Sequence, residues 1–213
     1  LKGTGEGLHA ALIGAGPSLD FAAPTRGKHD VAIGMNEAIL HCPWIDLLTC
    51  FDQKAVGKTS HAWGDFLNVV CSTPSAVRGL PGIHFLHDGE PLTQAHAGSL
   101  GLALGLCKWM GISRVDLYGV DLCWIGRPIT GKYSSKISQN VQRHTPGGFS
   151  FNRVRVPGHS TITNDDPWEL WTDGAFERFA RDIRNFSHEW QDMDVRNFSP
   201  ISQLDCFPRL VKA

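Results

Sequence analysis

Short apolar runs punctuated by glycine and proline alternate along this chain with longer helical patterns. The first run, Ala11, Leu12 and Ile13, suits a central buried strand. It breaks into Gly14-Ala15-Gly16-Pro17-Ser18-Leu19-Asp20. Gly14 and Gly16 permit a tight turn and close approach to the backbone, and Pro17 suits the first position of a helix. Further runs over 30–36, 44–52, 66–71, 83–86, 114–121 and 195–198 read as strands. A helix is predicted over 92–110, where Leu100, Ala103, Leu104, Leu106 and Cys107 form a broad apolar face and Gly111 is the stop. A second is predicted over 173–190, with Phe176, Phe179, Ile183 and Phe186 on one face and Thr172 or Asp173 as cap. Between 124 and 167 the apolar periodicity fades, which predicts a long loop or lid. The expected fold is α/β: a single Rossmann-like domain over 1–213, its sheet mostly parallel with helices on both faces, and 124–167 as a lid or binding-loop insertion.

Composition narrows the class. Of 213 residues 42% are hydrophobic and 19% charged, which describes an ordinary core under a sparsely charged surface. A net charge of −1 argues against a nucleic-acid partner. No apolar run approaches the length of a membrane span, and no signal peptide is visible. Six cysteines, none in CxxC spacing, sit mostly within apolar runs, which predicts a reduced, cytoplasmic protein without structural zinc. The ten histidines include no HxxxH pair, so no metal-binding helix is expected. Segment 124–167 carries Arg127, Lys132, Lys136, Arg143, Arg153 and Arg155 against Asp165 and Asp166. That surplus suits either an anionic ligand or a solvated surface insertion.

In an open parallel sheet, ligands bind beyond the carboxyl ends of the strands. Ser18, Asn36, Asp52, Ser72 and Asp121 end the apolar runs and are the natural candidates. Each serves a ligand or, equally, caps a helix. The N–H groups from Ser18 onward, at a helix start, form an expected anion site worth a few tenths to ~2 kcal/mol. The glycine turn lacks the third glycine of the dinucleotide fingerprint and the Lys-Ser/Thr ending of a P-loop. His159, in Val156-Pro157-Gly158-His159-Ser160, is the side-chain type best matched to proton transfer near neutral pH.

Several local patterns occur together in order. They are Gly14-Ala15-Gly16-Pro17-Ser18-Leu19, the strand ending in Asn36, Gly98-Ser99 ahead of an Ala/Leu helix, and Met110-Gly111-Ile112 followed by Val115-Asp116-Leu117-Tyr118-Gly119-Val120-Asp121. Gly158-His159-Ser160 and then Asn197-Phe198-Ser199-Pro200 complete the series. Together they resemble the bacterial sialyltransferases of the Campylobacter lipooligosaccharide type. They also resemble a broader group (DUF115) that includes an archaeal hydroxymethylpterin diphosphokinase. The sialyltransferase resemblance implies that Gly16, Pro17, Ser18 and Asn36 hold CMP, with Gly98 and Ser99 near the nucleotide. Gly14 and Asp121 join this set as neighbours on the same strand ends. His159 corresponds to the family's base, which deprotonates the acceptor hydroxyl while the CMP phosphate leaves, with no metal or cofactor required. The family holds that phosphate with tyrosines after the Gly-x-Asp strand. Here the matching ground has Cys123 and Trp124, which leaves Tyr133, the single tyrosine of the loop, as the nucleotide-binding candidate, with Lys132, Arg127 or Arg143 as alternative replacements for the family's tyrosines.

The resemblance implies a metal-independent glycosyltransferase that uses a nucleotide-sugar donor and a hydroxyl-bearing acceptor such as a glycan. A homo-oligomer is compatible with it. The alternative enzyme is a diphosphokinase using ATP and Mg²⁺, with Asp52 and Asp121 holding the metal. A third reading keeps the nucleotide-binding fold without catalysis.

Overall fold

The computed structural model describes residues 3–20, 22–50, 57, 59–62, 69–71, 83–85, 98–122, 124–128, 154–155, 168–172 and 174–210. In chain order the strands are β1 (His9–Ile13), β2 (Val31–Met35), β3 (Leu47–Cys50), β4 (Val69–Cys71), β5 (Ile83–Phe85), β6 (Arg114–Tyr118), β7 (Trp124–Pro128), β8 (Val154–Arg155), β9 (Trp168–Thr172) and β10 (Asp194–Asn197). Among the described residues the two long helices are α1 (Gly98–Met110) and α2 (Gly174–Phe186).

Seven strands form one sheet in the order β10-β6-β1-β2-β3-β4-β5, and every pairing in it is parallel. The chain lays β2 to β5 outward on one side of β1 and then returns to place β6 on the other. The strand order therefore reverses at β1, where an open α/β sheet forms its ligand crevice. The carboxyl ends of β1, β2 and β6 border that point.

Both long helices contribute to one core. Leu100, Leu102, Ala103, Leu104, Leu106 and Cys107 of α1 join Ala180 and Ile183 of α2 against Ala10, Leu12, Val31, Ile33, Val115, Leu117 and Val195. α1 is apolar around most of its circumference because it is enclosed, whereas α2 shows water a polar back. Truncating a fully buried leucine such as Leu104 to alanine should cost about 2–5 kcal/mol. The opposite sheet face carries a second core of Ala11, Ile13, Ala32, Leu48, Cys50 and Tyr118. Its described cover is the segment after β2, where a 3-10 turn (Asn36–Leu40) delivers Ala38 and Ile39, followed by Cys42 and Ile45.

Several elements are shorter than the apolar runs suggested, for local reasons. The run over 114–121 stops being strand at Tyr118 because Gly119 takes φ +62°. Among the described residues of the run over 44–52 the strand begins only at Leu47, and ahead of it the Asp46 carboxylate accepts the Ala32 N–H at 2.8 Å. The helix expected over 173–190 is α-helical to Phe186 and tightens into a 3-10 turn, Ser187–Trp190, whose Trp190 is buried.

Segment 124–167 requires a correction. It was expected to lack regular structure, yet β7 and β8 lie within it. With β9 they make a three-stranded antiparallel sheet in the order β7-β9-β8. The tryptophan- and threonine-bearing stretch Trp168-Glu169-Leu170-Trp171-Thr172 is strand-forming in composition. The register shift between Ile125 and Pro128 marks an irregularity that a strict alternation test overlooks.

Candidate functional site

Among the described residues, two polar corners occupy the carboxyl edge of the sheet. The first is made by the exits of β1 and β6. Gly14 N–H donates to the Tyr118 carbonyl at 2.7 Å and Gly16 N–H to the Gly119 carbonyl at 2.8 Å. The two exits lie so close that a Cβ on Gly14 would overlap the Gly119 carbonyl. One on Gly16 would stand 2.5 Å from both that carbonyl and Asp121 Oδ2. These glycines are thus required by protein against protein, before any ligand is considered.

Beyond them, Pro17–Asp20 is a single 3-10 turn rather than a long helix. Its expected anion site is already filled. Ser18 N–H donates to Asp121 Oδ2 at 2.7 Å, and Ser18 Oγ donates to Asp121 Oδ1 at 2.6 Å. Burial pushes the Asp121 carboxyl up to about 6, against the opposing pull of its hydrogen bonds with Ser18 and Ser199. The C-terminal segment closes the corner. Ser199 Oγ accepts the Val120 N–H at 3.0 Å, Ser202 Oγ donates to the Val120 carbonyl at 2.6 Å, and Gln203 N–H donates to the Asp121 carbonyl at 2.8 Å. The Asn197-Phe198-Ser199-Pro200 motif belongs to this fastening, since Asn197 Oδ1 accepts the Ser199 N–H at 3.0 Å. Ser18, Asp121, Asn197, Ser199 and Ser202 are each no more than 1% exposed.

The second corner lies at the exit of β2. Asn36 takes φ +52°, a left-handed backbone that a non-glycine residue adopts at some cost. Its Nδ2 donates to Ser99 Oγ at 2.6 Å, across 63 positions of sequence. Ser99 sits in the first turn of α1, just after Gly98 at φ +64°, where a Cβ would come within 3.3 Å of the Phe179 ring. Asn36 and Ser99 are both half-buried, so this pair reaches the surface of the crevice. The N-terminus of a 13-residue helix adds partial positive charge beside it.

The fold therefore gathers Gly14, Gly16, Pro17, Ser18, Asn36, Gly98, Ser99 and Asp121 along one edge of the sheet. It assigns Ser18 and Asp121 to each other, and Asn36 to Ser99. His159, Tyr133, Asp52 and Ser72 lie outside the described residues.

A third group was missed in the sequence. His9, at the start of β1, His29, just before β2, and Asp116, in β6, converge on the sheet face that carries Tyr118. His29 Nε2 is hydrogen-bonded to Asp116 Oδ2 at 3.0 Å. Burial holds the His29 imidazole below its ordinary value, outweighing the opposing effect of its Asp116 hydrogen bond. Burial also pushes the Tyr118 phenol up to about 12, with the Asp116 charge contributing second. No spacing rule links positions 9, 29 and 116. The pairing of β1 with β6, which sets Ala11 opposite Asp116, and of β1 with β2, which carries His29 alongside, bring them together.

No family model matches the sequence, nor does any curated protein. Among solved structures, the fold is similar to that of the MAf glycosyltransferase from Magnetospirillum magneticum AMB-1, with a TM-score of 0.63 at 14% identity. The superposition covers 99% of this chain and 35% of that one, so the chain spans about a third of its neighbour's length. No described helix is long and apolar enough to cross a membrane. At this identity the likeness establishes a shared Rossmann-like α/β fold.

Proposed function

We propose that this chain is a glycosyltransferase domain that binds a nucleotide-sugar donor at the carboxyl edge of β1, β2 and β6. The observation that carries the reading is the Asn36–Ser99 pair. A left-handed Asn36 is held by the first turn of α1, half-exposed, beside the point where the strand order reverses. Polar groups fixed in that position suit a ribose, a base edge or a phosphate. The fold shared with a glycosyltransferase supports the same reaction class.

Within that class the sequence resemblance supports a sialyltransferase-type donor, CMP-linked, and a reaction that needs no metal. His159 takes the proton of the acceptor hydroxyl. The acceptor oxygen then bonds to the anomeric carbon from the face opposite the leaving group. The bond from that carbon to the phosphate oxygen breaks, and CMP departs with the electron pair. Such a positioned base is worth ~10²–10⁴ in rate. Tyr133 and the basic residues of 124–167 are the groups available to offset the charge on the leaving phosphate. Asp121 is committed to Ser18 and Ser199, which weighs against the diphosphokinase reading in which it would hold Mg²⁺.

The test is product analysis with CMP-sugar donors in the presence of a chelator. Metal-independent release of CMP, lost in His159→Ala while nucleotide binding persists, is the expected result. Mg²⁺-dependent formation of AMP from ATP would transfer the chain to the diphosphokinases. Tight nucleotide binding without either product would make it a binding protein of this fold.

A further inference from the structure

On the sheet face away from α1, His9, His29 and Asp116 place two imidazole nitrogens and a carboxylate oxygen within 4.8 Å of one another. Both histidine Nε2 atoms stand 3.0 Å from the same oxygen, Asp116 Oδ2. Only His29 is aligned for a hydrogen bond with it. His9 Nε2, although buried and this close, has no hydrogen-bond partner among the described residues. The same is true of Asp116 Oδ1 and the Tyr118 hydroxyl. Three orphaned polar atoms around one buried carboxylate are unusual, because each costs about 1–3 kcal/mol when left unpaired.

We propose that His9, His29 and Asp116 form a three-ligand site for a divalent transition cation of the zinc class. Two imidazoles and a carboxylate fit such an ion. They are a poor set for Mg²⁺ or Ca²⁺, which require oxygen donors throughout. Metal bonds of ~2.0–2.2 Å would bring the ligands to separations of about 3.3 Å in a tetrahedron, close to the 3.0 Å already present on each side of Asp116. The cation would satisfy the His9 nitrogen and leave a fourth position open. His9 is the most exposed of the three, its side chain 20% accessible against 3% for His29 and Asp116, and gives the ion its approach.

The site lies away from the Asn36–Ser99 corner. His9 is four residues upstream of the carboxyl end of β1, and Asp116 is in mid-strand. Its role follows from what it joins. His29 belongs to the connection from β1 to β2, so a bound ion would clamp that connection to β1 and β6 without taking part in the proposed glycosyl transfer.

The experiment uses the whole chain, stripped with a chelator and dialysed. Zn²⁺ is then titrated calorimetrically against a competing chelator, with melting temperature followed in parallel. The expected result is one equivalent bound, a raised melting temperature, and no displacement by excess Mg²⁺. His9→Gln and His29→Gln should each weaken Zn²⁺ by at least the ~10–100-fold that losing even an outer-shell partner costs. Because His29 is buried, far-UV circular dichroism checks that each variant folds. His9→Gln, at the exposed side, decides the matter if His29→Gln does not fold. Co²⁺ loaded into the unaltered protein gives a second readout, the intense visible absorption of a four-coordinate ion. Binding of less than half an equivalent would overturn the proposal. So would equal affinity in His9→Gln and the unaltered chain, a six-coordinate Co²⁺ spectrum, or displacement by Mg²⁺.

Discussion

The two polar corners at the carboxyl edge are built from similar residue types and do opposite things. At the exits of β1 and β6, Ser18, Asp121, Ser199 and Ser202 are sealed from water, Ser18 bonded to Asp121 and Ser199 and Ser202 to the Val120 backbone. At the exit of β2, Asn36 and Ser99 are half-exposed, and Asn36 is held in a left-handed conformation. A strand-end polar residue by itself does not separate fastening from binding. What separates them is exposure: one corner is sealed from water and the other reaches the crevice surface. The closed corner fixes the geometry of the crevice, and the open one lies at the surface where the proposed nucleotide would meet it.

The sharpest way to break that contrast is to empty the closed corner. Asp121→Ala leaves the Ser18 N–H and hydroxyl buried without an acceptor, and should cost roughly 2–6 kcal/mol at about 1–3 per orphaned donor. Denaturant unfolding measures it as a lower midpoint at unchanged slope. A loss under 1 kcal/mol would mean that the corner is not a fastening.

Gly16→Ala places a methyl against the Asp121 carboxylate and the Gly119 carbonyl and should cost about 1–3 kcal/mol. The same measurement on Gly27→Ala provides a reference: its added Cβ meets nothing within 4 Å, so only the strain of φ +77° is paid.

The third expected effect is pH dependence. Asp121 has its carboxyl raised to about 6 in the folded chain, against an ordinary value of 3.8. A raised acid favours the folded state when protonated. Its contribution is therefore complete below about pH 4 and is lost as pH rises through 6, an effect on the order of 2–3 kcal/mol. Asp121→Asn removes the titration, so the stability of the unaltered chain relative to this variant should fall between pH 4 and 6 and level off above. A flat difference would mean that Asp121 is not buried as described.

The smallest expected effect on stability belongs to the open corner. Asn36→Gly relieves the left-handed backbone while deleting the half-buried hydrogen bond to Ser99, so its net change should stay within about 1 kcal/mol. Thermal unfolding checks this. A larger loss would place Asn36 among the fastenings.

Much of the fold was legible from the chain because it rests on short-range pattern. The runs at Ala11–Ile13, around Ile33 and around Leu117 are apolar since their strands are buried on both faces, and the Leu/Ala pattern of α1 announces an enclosed helix. The glycine turn was legible as a turn but not as to its cause. Pattern shows that Gly14 and Gly16 invite close approach, not that Gly119 and Asp121 are what approach. The expected free N–H at Ser18 failed for the same reason, its acceptor being 103 residues away. The Asn36–Ser99 pair was foreshadowed by both residues being singled out, but their contact depends on the return of the chain to α1. The His9, His29 and Asp116 group left no local trace at all. The small antiparallel sheet was hidden by strands of two to five residues set among glycines and prolines.

The most direct test of the central claim, that the open corner binds a nucleotide, is calorimetric titration of CMP without Mg²⁺ into the unaltered chain and into Asn36→Gly. The account predicts metal-independent binding to the first and at least tenfold weaker binding to the second, about 1.4 kcal/mol, with both proteins equally folded. Equal affinity in the two, or no binding of CMP to the unaltered chain, would contradict it.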